Sequence, residues 1–141
     1  MEIADVRKRL HETMARAKKA AADRRARADA AGREFDVFLT TIAVPLVRQI
    51  AGALRADGYS FTVSTPSGSV RLASEKNAED FIELFLDSSG DTPRVIGHVS
   101  RSRGRRGIDA EHVVGPGDPA AIGEEALLDF LLRELEPFVE R

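Results

Sequence analysis

The chain has 141 residues, 43% apolar and 31% charged, with no cysteine and a net charge of −2. That length suits one domain able to bury its own core, and the lack of cysteine excludes disulfides and thiolate chemistry. The amino-terminal "MEIADVRKRLHETM" lacks the apolar centre of a secretory signal. No apolar run is expected to approach the roughly 20 residues that span a bilayer, so a cytoplasmic protein with no membrane partner is expected.

The small net charge hides an asymmetry. Residues 1–33 hold ten Lys/Arg against five Asp/Glu, a balance of +5, and residues 34–141 hold eleven against eighteen, a balance of −7. An arm of one sign on a body of the other points to an arm that touches something. Nucleic acid and the acidic body of a neighbouring subunit are the two candidates.

Residues 1–33 form the arm, and they read as a charged helix that projects from the body. They contain no proline and only Gly32 as a breaker, and Ala, Arg, Lys and Glu dominate. Ile3, Val6, Leu10, Met14, Ala17 and Ala21 recur in steps of three and four, and Ala28, Ala31, Phe35, Phe38 and Ile42 continue the stripe. This is a narrow seam of coiled-coil type. It thins to alanine in the middle and Arg24 interrupts it, so pairing along it is expected to be weak or to need help. Asp5–Arg9, Glu12–Arg16, Asp23–Arg27 and Asp29–Arg33 are acid-before-base pairs four residues apart, with Lys19–Asp23 and Arg25–Asp29 in the reverse order. They predict a helix that satisfies its own charges.

Residues 34–141 read as an α+β body. Phe35, Phe38, Leu39, Ile42, Leu46, Ile50 and Leu54 make a core helix, with a kink expected before Pro45 and a left-handed cap at Gly58. After Gly58 the period becomes two. "YSFTV" and "SVRLAS" form a hairpin around "STPSG", and "PRVIGHVS" and "GIDAEHVV" form a second around "RSRGRRG". The segment at 78–87 fits a helix or a strand; a strand is favoured, because it gives the simplest meander. "GPGDP" then leads into a last helix over 119–136, with Asp118 as its N-cap and Pro137 expected to end or bend it. The fold class is therefore α+β: an antiparallel meander of four or five strands packed on two helices, with the long amino-terminal helix projecting.

Three sites suggest themselves. The stripe Ile3, Val6, Leu10, Met14, Ala17 and Ala21 would join the arm to a second copy or to a partner protein. Arg101, Arg103, Arg105 and Arg106 would grip phosphates, helped by Lys18, Lys19, Arg24 and Arg25. Against this, pairing the strands about Gly104 sets Arg101 and Arg103 near Asp109, and no aromatic flanks the loop to stack a base. The same pairing puts His98 and His112 diagonally on one sheet face, where a pocket would make an enzyme or ligand carrier. No third metal ligand is in view, and no phosphate loop or nucleophile elbow occurs. The leading expectation is a non-catalytic, self-associating or partner-binding protein without metal or cofactor. Nucleic-acid binding and a histidine pocket are the alternatives. An excess of arginine over lysine fits a bacterial genome rich in GC.

Overall fold

The computed structural model describes residues 1–103 and 106–140, the side chain of Arg103 excepted. Helix α1 runs from Ile3 to Phe38 without a break at Gly32, passes through a π-helical turn at Leu39–Ala43, and continues as α2, Val44–Ala56. The division expected at residue 33 thus falls inside one continuous helix. The kink expected before Pro45 takes the form of the π turn. Proline has no N–H and its ring crowds the carbonyl four residues back, and a wider turn relieves both. The hydroxyls of Thr40 and Thr41 donate to the carbonyls of Asp36 and Val37, at 2.9 and 2.7 Å. Gly58 ends α2 with a positive φ of 90°, and the Tyr59 N–H returns to the Leu54 carbonyl at 2.8 Å.

Five strands follow: β1 Phe61–Ser64, β2 Val70–Ser74, β3 Phe81–Asp87, β4 Arg94–Arg103 and β5 Arg106–Val113. Each pairs antiparallel with the next, so the sheet is a five-stranded meander in sequence order. The segment at 78–87 is a strand from Phe81 onward. Alternation sends Phe61, Val70, Leu72, Ile82, Leu84, Val95 and Val99 inward, where they are buried against Phe35, Phe38, Leu46, Val47 and Ile50. The last helix, α3, spans Glu124–Val139 and adds Leu127, Phe130, Leu131, Leu135 and Phe138 to this core.

Helix α3 begins later than its sequence pattern suggested. Asp118 accepts from the Ala120 N–H at 3.0 Å through its side chain and from the Ala121 N–H at 2.9 Å through its carbonyl, which makes an isolated turn. Ile122 is then buried, and the extended backbone of Gly123 restarts the chain as a helix at Glu124. Pro137 does not end the helix, because Phe138 anchors its last turn edge-on against Phe61, with ring centroids 6.2 Å apart.

A second correction concerns membrane-spanning length. The continuous helix Ile3–Ala56 contains an 18-residue window apolar enough, by length and composition, to cross a bilayer. The chain also packs this helix against its own sheet, through Phe38, Leu39, Leu46, Val47 and Ile50.

The β3–β4 turn illustrates a local pH effect. The Ser89 hydroxyl and N–H both donate to one Asp87 oxygen, at 2.6 and 2.9 Å. These bonds, the hydroxyl first, hold the Asp87 carboxyl below the usual aspartate value, with a smaller contribution from the Arg94 charge. A lowered folded-state value means that the turn is stabilised above the ordinary aspartate pKa and loses that support as pH falls through the folded value. An NMR titration of Asp87 should therefore find a midpoint below that of an ordinary aspartate, and Ser89→Ala should raise it.

Candidate interaction surface

The arm stands clear of the body. Residues 1–27 of α1 are exposed apart from half-covered Ala21, and the first fully buried side chain is Ala31. Ile3, Val6, Leu10 and Met14 are 78%, 46%, 55% and 47% exposed. Ala17 and Ala21 carry the same stripe onward, so all six predicted contact residues share one side of one helix. A helix with so little apolar surface gains little stability from packing against its own body along this stretch.

None of the six charge pairs expected within the arm closes to ion-pair distance among the described residues. Arg16 instead donates to the Thr13 hydroxyl at 3.1 Å, and the Arg27 Nε donates to the Asp91 carbonyl at 3.3 Å. Exposed pairs gain a few tenths of a kcal/mol and lose rotamer freedom in forming, so their openness is no surprise. The charges of the arm remain available to another surface.

The basic hairpin differs from its expected geometry. Arg103 pairs with Arg106, Ser100 with Asp109, Val99 with Ala110 and His98 with Glu111, one residue away from a pairing centred on Gly104. Gly104 and Arg105 lie outside the described residues. Asp109 takes His98 as its partner, Oδ1 to Nε2 at 2.6 Å, and not an arginine. Among the described residues neither Arg101, half-buried, nor Arg106, exposed, has an ion-pair partner.

The same slip overturns the histidine pocket. Because side chains alternate across a sheet, one residue of register sends His98 and His112 to opposite faces. His98 lies on the open face, edge-on to Phe81 with centroids 5.2 Å apart. His112 lies on the helix side, where its Nδ1 is 2.8 Å from Oε1 of Glu134 on α3. The two imidazoles share neither a ligand nor a cavity.

Sequence reasoning also missed Phe81. Its pairing with Ser100 brings an aromatic ring to the open face, and the Arg71 guanidinium lies 4.1 Å from the ring centre while bonding Glu83 at 3.0 Å. Arg71, Glu83, Phe81, His98 and Asp109 thus make a polar chain across four strands. Nothing in the local sequence places Phe81 beside Arg71, since only the β2–β3 register does so. A groove of about 630 Å³ between α2 and α3, lined by Ile50, Leu54, Tyr59, Leu132, Leu135 and Val139, was likewise illegible before the helices were docked.

The chain matches no family model, and comparison with curated proteins and with solved structures found no match either.

Proposed function

We propose that this protein is a non-catalytic, cytoplasmic interaction protein that associates through its amino-terminal helix. The observation that carries the reading is the bare stripe of Ile3, Val6, Leu10 and Met14 on a helix that its own body leaves uncovered. Large apolar side chains aligned on one exposed helical face favour burial against a partner, each contributing about 1.5–3 kcal/mol when fully covered. The open charge pairs of the arm and its +5 balance against a body of −7 add an electrostatic preference for a partner surface of acidic character.

Leu10→Asp combined with Met14→Asp should weaken association on the order of 100-fold or more, since two apolar anchors are replaced by charges that resist burial. Light scattering across a concentration series reads this directly. Removal of residues 1–27 should abolish association while the remaining chain keeps a cooperative thermal transition, because every core side chain lies after that point. An intact chain that stays alone at every concentration and binds no partner protein would sink the reading.

A second reading has one observation in its favour. Among the described residues Arg101 and Arg106 have no ion-pair partner, which leaves their charges available to an anion such as a nucleic-acid phosphate. Arg101→Ala with Arg106→Ala should then weaken a salt-sensitive gel shift. A shift that is absent, or indifferent to salt, removes this alternative.

A further inference from the structure

The stripe left bare on the arm is the same side of the helix that faces the core further along. Ala28 is half-buried, and Ala31, Phe35 and Phe38 are buried on the continuation of the line through Ile3, Leu10, Met14, Ala17 and Ala21. The body therefore stands on the seam side of α1 and begins near Ala28, where Arg27 bonds the carbonyl of Asp91 in the β3–β4 turn.

We propose that the partner is a second copy of this chain and that the two arms pair antiparallel, Met14 of each lying over Ala17 of the other. The inference rests on the arm being the contact surface, as argued above, and adds the identity and direction of the partner. Direction follows from where the body stands. A parallel partner would have to run on along the seam into space that the body occupies, and its own body would meet the same obstacle. An antiparallel partner ends where the body begins. With Met14 over Ala17, Leu10 falls opposite Ala21 and Ile3 opposite Ala28, at the edge of the body.

Size agrees with direction. In this register Ile3, Leu10 and Met14 of the outer half of the arm each meet an alanine of the inner half, which is the alternation of large and small that close packing needs. Parallel pairing would set Ala17 on Ala17 and Ala21 on Ala21, and would bring Arg24 against Arg24. Val6, opposite Arg25, is the weakest layer of the antiparallel arrangement. Charge agrees as well. The tip of each +5 arm arrives beside the other copy's −7 body, next to the turn that carries Asp87 and Asp91.

The chain has no cysteine, so introduced thiols report on the pairing without interference. Leu10→Cys and Ala21→Cys chains, differently tagged and produced together, are oxidised and sized by light scattering. The expected result is a disulfide between the two kinds of chain and little within either kind, because like positions lie about 17 Å apart along the axis. A Leu10→Cys chain that cross-links to itself as readily reports parallel pairing and overturns the proposal. A dimer in which no combination cross-links overturns the register. In either case association through the arm survives. Monomers throughout the series, with no other protein bound, remove the proposal together with the reading on which it rests.

Discussion

Valine in place of Gly97 is expected to destabilise the fold by about 3 kcal/mol or more, at or above the upper end of the usual cost of overpacking a core. Gly97 lies in β4 on the inner face, and a Cβ built there would sit 2.4 Å from Cζ and 2.6 Å from Cε1 of Phe130. Phe130 is 4% exposed and belongs to the core of α3, so its ring cannot swing aside without displacing other buried side chains. Alanine at this position should cost about 1–3 kcal/mol by urea denaturation. Phe130→Leu removes the ring atoms that would clash. Alone it leaves a cavity and costs stability, but combined with Gly97→Ala it should cost less than the two changes summed, by roughly 1 kcal/mol. Strict additivity would show that the close approach of β4 and α3 is not what requires glycine.

Asp80→Ala is the second change with a large expected effect, about 1–3 kcal/mol. Asp80 is 5% exposed and sits just before β3. Its Oδ1 accepts from the Ser102 N–H at 2.7 Å and the Ser102 hydroxyl at 3.1 Å, and its carbonyl accepts from the Ser74 N–H at 2.9 Å. The pairing of β3 with β4 ends at Phe81 and Ser100, so this carboxylate holds β4 after the ladder has stopped. The Asn77 amide donates to the same Ser102 hydroxyl at 2.6 Å and completes the clamp. Removing the carboxylate leaves the Ser102 N–H without that acceptor and loosens the end of the hairpin that carries Arg101 and Arg106. Hydrogen exchange at the Ser102 amide should accelerate in Asp80→Ala, and much less in Asp80→Asn, which keeps one acceptor oxygen. Unchanged exchange in Asp80→Ala would mean that the hairpin is held by its own ladder alone.

These residues differ in how far the sequence announces them. The strands around Phe61, Val70, Ile96 and Ile108 are legible as alternation between turns, and the helical stripe from Ile3 to Ala21 as a spacing of three and four. Gly58 as a left-handed cap and Pro45 as a site of helix distortion follow from backbone chemistry that those residues carry everywhere. The favoured strand at 78–87 follows from topology, as a meander needs a partner for β4. The importance of Gly97 is another matter. As a glycine in a strand it signals close approach of something, but only the docked helix shows that Phe130 is what approaches.

The histidines mark the other limit. A single residue of register decides whether His98 and His112 face each other or are parted by the sheet, and register depends on how the chain closes a turn that its composition does not specify. Asp80 is similar: an aspartate in "NAED" looks like an ordinary turn residue until Ser102 is brought beneath it from 22 positions away.

The order of elements, the meander and the apolar line of the arm were thus determined by sequence alone, because period, breaker and cap act between residues a few positions apart. Which histidine meets which carboxylate, that Phe81 lies under Arg71, and that the arm is left bare while the same side of its helix is buried beyond Ala31 were decided only by tertiary structure. Those relations are between residues far apart in the chain, and packing and register bring them together without any local pattern to record it.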